Sequence, residues 1–151
     1  MTSTLRRSVR FAVRAACIAM LASFATGCGS SGEGGASGAV ADVKGDPARG
    51  EALYQQCAAC HSLQANGAGP RHCELFGRPA GTVPDFEYSQ AMRESGLVWN
   101  VQTLDEFLTS PITYVSGTKM GFAGFSDAAE RADVIAYLHQ VNHDPASCPA
   151  S

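Results

Sequence analysis

The apolar and polar positions divide the chain into three stretches. An apolar head comes first, then a stretch nearly free of large side chains, then a region where helical periods alternate with glycine and proline. Positions 11–24 are apolar except Arg14 and Ser23, a run too short to span a bilayer as a mature helix. Positions 29–44 are rich in Gly, Ser and Ala, the composition of a flexible tether. Helical signals begin at Asp46-Pro47, an N-cap followed by proline at the first helical position. Positions 48–56 then run without a breaker except Gly50, with Leu53 and Tyr54 as the buried face. Gly50 lowers helix propensity, which is tolerable where another helix needs close approach. Positions 71–101 hold no sustained period; Phe76, Phe86, Tyr88 and Trp99 stand among Gly77, Pro79, Gly81, Pro84 and Gly96, an irregular wrap whose aromatics need a large apolar partner. Thr103-Leu104-Asp105-Glu106 reads as a capping box with Thr103 at the cap, opening a helix through Phe107 and Leu108 that stops at Ser110 because Pro111 follows. Positions 113–125 form a second loop, holding Met120. Ser126 or Asp127 then caps a helix over 128–141, where Val134, Ile135, Leu138 and Val141 recur at helical spacing. The tail, 142–151, has two prolines and no period. The pattern predicts a small all-α domain whose last helix crosses the first at Gly50.

At 151 residues the chain has room for one modest domain after targeting sequence is set aside. Arg6, Arg7, Arg10 and Arg14 make a basic region ahead of and within the apolar run, so positions 1–27 read as an export signal. It ends in Ala25-Thr26-Gly27-Cys28, a lipobox-like sequence that predicts diacylation of Cys28, with plain cleavage after a small residue as the alternative. Leucine is usual where Ala25 stands. Removing the signal takes four of the 11 basic residues and none of the 14 acidic ones, so the mature chain carries 7 against 14, a net charge of −7. Nucleic acid is excluded as a partner on that balance, and an electrostatically steered partner should present basic surface.

The chemistry is concentrated in Cys57-Ala58-Ala59-Cys60-His61. C-x-x-C-H is the attachment sequence for c-type haem: the thiols add across the porphyrin vinyl groups and the histidine supplies an axial imidazole. On a helix, positions three and four apart share a face, so the three side chains can address one macrocycle. A redox dithiol would want a preceding strand in a βαβ unit, and a zinc site a second ligand pair at zinc spacing; neither is present in the sequence. Beyond the motif, the carbonyl of Pro70 can accept the Nδ1 proton of His61, or Pro70 is an ordinary loop proline.

With these motifs in order, positions 45–143 resemble a class I cytochrome c of the mitochondrial and bacterial c2 type. The resemblance rests on Gly45-Asp46 and Gly50, on Cys57-x-x-Cys60-His61 and Gly69-Pro70, and on Leu75-Phe76-Gly77-Arg78. It continues through Tyr88-Ser89, Gly96-x-x-Trp99, Gly117-Thr118-Lys119-Met120-x-Phe122 and Glu130-Arg131-x-Asp133-x-Ile135-Ala136-Tyr137-Leu138. It implies an all-α fold with crossing terminal helices and one covalent haem c wrapped by loops. His61 and Met120 are then the axial ligands, and Arg78, Tyr88 and Trp99, with Ser89 and Thr118 as weaker candidates, face the buried propionates. The implied function is single-electron transfer between periplasmic or membrane-bound redox proteins by a monomeric carrier, lipid-anchored through Cys28, that is not an enzyme. The alternatives are a haem enzyme or gas sensor with a labile sixth ligand, and a cytochrome subunit of a larger membrane complex. Met92, outside the Gly-Thr-Lys-Met surround, reads as packing. His72 stands where the family has a buried leucine, so either the loop shifts or His72 turns outward. Ile112 and Thr113 replace lysines of the mitochondrial docking ring, which argues against a partner built for a lysine-ringed cytochrome. Cys73 and Cys148 are left over in an oxidising compartment. The resemblance places both beside the contact of the first and last helices and implies a disulfide between them, two free thiols being the alternative.

Overall fold

The computed structural model describes residues 43–150. The export signal, Cys28 and the tether as far as position 42 lie outside the described residues. Among those described there are five helices and no strands: α1 (Pro47–Ala58), α2 (Gln90–Arg93), α3 (Val101–Thr109), α4 (Pro111–Tyr114) and α5 (Ala128–His143). None is long and apolar enough to cross a membrane.

The frame is the crossing of α1 and α5. Asp46 caps α1 by accepting the Ala48 and Arg49 N–H groups at 2.9 and 3.4 Å, and Pro47 follows, where a missing N–H costs nothing. Asp127 caps α5 from Ala129 N–H at 2.7 Å. At the crossing Gly50 lies so close to α5 that a Cβ there would stand 2.0 Å from the Asp133 carbonyl oxygen. The Asp133 carboxylate, with its side chain 6% exposed, receives Arg49 (Nε to Oδ2, 3.1 Å) and the Asp46 N–H (2.7 Å), so a charge buried at the helix contact is both paired and hydrogen-bonded. Behind it Val134 and Ile135 are 0% and 1% exposed, each contributing roughly 1.5–3 kcal/mol by burial. They join Tyr54, Trp99, Leu104, Phe107, Leu108 and Leu138 in one core.

Arg131 fastens α5 to α3, donating to Asp105 at 2.8 Å and to the Phe125 carbonyl at 2.9 Å. α3 begins earlier than its sequence suggests. Asn100, not Thr103, is the N-cap: Asn100 Oδ1 accepts from Thr103 N–H and Thr103 Oγ1 accepts from Asn100 N–H, both at 2.9 Å. Thr103 is therefore the third helical residue of a reciprocal box. Glu106, expected to close the box, instead accepts from Gln102 and from the Tyr114 hydroxyl. α3 stops before Ser110, as the following proline requires, and Pro111 opens the single turn of α4, where the sequence suggested loop from 113 onward. A second turn not read from sequence, α2, interrupts the irregular wrap; Ser89 caps it from Met92 N–H at 3.2 Å. α5 runs to His143, two residues past the expected end. The tail then doubles back, with Cys148 N–H on the Asp144 carbonyl at 2.8 Å and Gln64 donating to the Ser147 carbonyl at 2.8 Å.

Candidate functional site

The Cys-x-x-Cys-His segment straddles the end of α1. The helix closes at Ala58, and Ala59 beyond it keeps helical dihedrals (φ −60°, ψ −27°). Cys60 and His61 both donate N–H to the Cys57 carbonyl, at 3.0 and 2.9 Å, so a last helical turn holds the motif together where the chain departs into the next loop. Neither cysteine is in a disulfide; Cys57 is half-buried and Cys60 exposed. Burial pushes the Cys57 thiol up to about 11, whereas reactive dithiols lower theirs.

His61 is held from two sides. Its Nδ1 lies 2.7 Å from the Pro70 carbonyl oxygen, which makes Nδ1–H the donor and leaves the Nε2 lone pair for a metal. Burial lowers the pKa of the ring, partly offset by the Pro70 hydrogen bond, so the imidazole is neutral. Gly69 forms the floor beneath it: a Cβ there would come within 2.3 Å of His61 Cε1, and Gly69 N–H is tied to the Cys60 carbonyl at 2.8 Å.

His72 neither turns outward nor leaves the site. Its N–H reaches the Ser62 and Leu63 carbonyls, its Nδ1 lies 3.0 Å from the Tyr54 hydroxyl, and its ring stacks on His61 with centroids 4.2 Å apart at 22°. Burial, then the nearby Cys57 and Tyr137, hold the Tyr54 phenol well above its ordinary value, so a protonated hydroxyl and the His72 ring nitrogen share the hydrogen bond. The polar replacement for leucine thus has a partner, which is why it can point inward. Stacked on His61, it lies on the same side of the site as that ring.

The wrapping segment brings Arg78 and Trp99 together through backbone pairs: Gly77 N–H to the Trp99 carbonyl (2.8 Å), Trp99 N–H to the Arg78 carbonyl (3.0 Å) and Ala80 N–H to the Leu97 carbonyl (2.9 Å). Arg78 donates to the Cys73 and Arg71 carbonyls at 2.8 and 3.1 Å, so part of its fork is committed to the chain. Tyr88 packs edge-on to Phe86, and burial first of all raises its phenol pKa. Trp99 is buried edge-on against Phe107. Ser89 is engaged as the α2 cap. Thr118 Oγ1 accepts the Met120 N–H at 3.2 Å, setting the loop that carries the thioether. Met92 is 7% exposed in the core. Cys73 and Cys148 are joined, with Cα atoms 5.4 Å apart.

The donor set suits a haem. Two unbonded thiols flank an imidazole with a fixed tautomer, and half-buried apolar side chains, among them Leu63, Phe76, Leu97, Met120 and Phe122, rest on the core without being covered by it. Among the described residues no three His, Cys, Asp or Glu side chains converge as a metal cluster would need. The family model for cytochrome c matches residues 47–142.

The chain belongs to the cytochrome c family.

Cytochrome c2 from Rhodomicrobium vannielii is 45% identical over 103 residues, covering 66% of this chain and 82% of that protein. Cytochrome c from Chlamydomonas reinhardtii is 46% identical over 100 residues, covering 64% and 89%. Among solved structures, cytochrome cH from Methylobacterium extorquens superposes with a TM-score of 0.62 at 40% identity, over 64% of this chain and 99% of that one. As a cytochrome c the chain carries one covalent c-type haem through Cys57 and Cys60 and is a haem-containing electron carrier.

Proposed function

We propose that this cytochrome c is a single-electron carrier with His61 Nε2 and Met120 Sδ as axial ligands, and that it is not an enzyme because both axial positions are filled. The observation that carries the reading is the His61–Pro70 contact, which leaves Nε2 as the coordinating atom. Bound haem supplies a one-electron ferric/ferrous couple. The chain's part is to hold that couple in place. Gly69 and Pro70 hold the imidazole, Thr118 sets the Met120 loop, and Arg78, Tyr88 and Trp99, with Ser89 and Thr118, offer hydrogen bonds toward the propionates. A thioether is a soft ligand that favours ferrous iron, and an apolar shell adds to that preference, so the potential is raised to a range suited to electron transfer.

The carrier works as a monomer in the bacterial periplasm, held to a membrane by lipid on Cys28, between redox proteins with basic docking surfaces. The net charge of −7 supports that steering. The exposed Ile112, at 55% of its full area, supports a docking face unlike the lysine ring of mitochondrial relatives. Met120→Ala tests the ligand assignment. The haem should remain covalently attached while the potential falls and carbon monoxide binds the reduced protein without a lag; an unchanged spectrum and potential would refute it.

A further inference from the structure

The last turn of α5 carries two histidines that the electron carrier does not use. His139 and His143 are one helical turn apart, and their rings lie 4.1 Å centroid to centroid at 32°. We propose that His139 and His143 form a second metal site, a surface chelate for a late first-row divalent transition metal, copper(II) foremost, with water completing the coordination.

Three features of the geometry support it. First, the tautomer is set: His143 Nδ1 donates to the His139 carbonyl at 2.8 Å, which leaves Nε2 as its lone-pair nitrogen, the arrangement by which ligating histidines are commonly oriented. Second, the spacing suits a shared ion: residues four apart lie on one face of a helix, and the two rings sit side by side on the last turn of α5, so a change of side-chain torsion brings both ring nitrogens onto one ion. Third, the turn is held before any metal arrives. Phe76 packs edge-on to His139 at 5.0 Å, while Asn142 donates to the Leu138 carbonyl at 2.8 Å and accepts the Leu75 N–H at 2.9 Å. Part of the side-chain order needed for binding is therefore in place beforehand, which reduces the ordering cost that weakens a two-residue chelate.

No third His, Cys, Asp or Glu among the described residues completes the site. Two imidazoles with solvent suit copper(II), nickel(II) and zinc(II), in an affinity order that peaks at copper, and do not suit calcium or magnesium, which want oxygen ligands. The other two of the four histidines are committed, His61 to Pro70 and the iron and His72 to Tyr54.

The test is calorimetric titration of the oxidised, haem-loaded full chain with copper(II) chloride and, separately, zinc chloride. One saturable equivalent is expected. His143→Gln and His139→Gln should each weaken it at least tenfold, because the chelate is lost with either arm, and the double variant should abolish it. The copper-loaded protein should show two equivalent nitrogen couplings by electron paramagnetic resonance. His72→Leu should leave the affinity unchanged. Circular dichroism of the glutamine variants checks that the fold is intact; His143 is exposed, so its replacement is not expected to disturb it. Absence of saturable binding, or binding that survives His143→Gln undiminished, would overturn the site.

Discussion

Gly50→Ala sets local preference directly against tertiary contact. In an isolated helix the change is favourable by about 1 kcal/mol, because alanine is the best helix former and glycine nearly the worst. In this fold the new methyl would lie 2.0 Å from the Asp133 carbonyl oxygen, 2.6 Å from its carbon and 2.8 Å from Tyr137 Cβ. Two of those three atoms are α5 backbone and cannot rotate aside, so α1 and α5 must separate at their crossing. Overpacking of this kind typically costs about 1–3 kcal/mol where side chains can give, and here the upper end applies. Separation also stretches the Asp46 and Arg49 hydrogen bonds to the Asp133 carboxylate, and a buried acceptor left short of a partner costs about 1–3 kcal/mol. Setting these against the propensity gain leaves a net loss of roughly 3–5 kcal/mol. For a domain near 100 residues each kcal/mol moves the midpoint by about 4–8 °C, so Tm should fall by roughly 12–40 °C. Thermal unfolding of the haem-loaded protein followed at 222 nm measures it, with Gln55→Ala, an exposed change on the same helix, expected within about 0.5 kcal/mol of the parent. A Gly50→Ala protein as stable as the parent, or more so, would mean that propensity decides at this position and that the close crossing is not what glycine serves.

Thiol counting on denatured, unreduced protein should find neither Cys73 nor Cys148 titratable; two free thiols would refute the bridge. Cys148→Ser should lower stability by on the order of 4 kcal/mol at most, the chain-entropy value for a span of 75 residues, read as a reduced urea midpoint. Electron transfer with a partner of basic surface should slow as salt is raised from 10 to 200 mM, where the screening length shrinks to below about 10 Å; a salt-independent rate would point to an apolar docking contact instead. Cys28→Ser should move the protein from the membrane fraction to the soluble one, and unchanged fractionation would argue against a lipid anchor on that residue.

Much of the molecule is decided by short-range chemistry and was legible before folding. Asp46-Pro47 can do little but start a helix, since one side chain accepts the free N–H groups and the next residue has none to leave unpaired. The period of Val134, Ile135, Leu138 and Val141 specifies the buried face of α5. Cys57, Cys60 and His61 name their cofactor by spacing alone, whereas the sequence left Pro70 open between an acceptor for His61 and an ordinary loop proline until the fold set its carbonyl 2.7 Å from the ring. Other features depended on choices between local solutions of nearly equal energy. Asn100 and Thr103 are both good caps, three residues apart, and only the packing of Leu104, Phe107 and Leu108 against α5 selects where α3 begins. Ser89 opens a single turn too short to carry a period. His72 shows the same limit in a side chain: a polar residue in a leucine position argues for the surface until Tyr54, 18 positions earlier, is seen to offer it a hydrogen bond. The pairing of His139 with His143 is written in their spacing, but the Phe76 and Asn142 contacts that hold that turn come from residues brought together only when the wrap closes over α5. Sequence determines what is local and single-valued, whereas packing determines the direction of a side chain whose partner lies far along the chain.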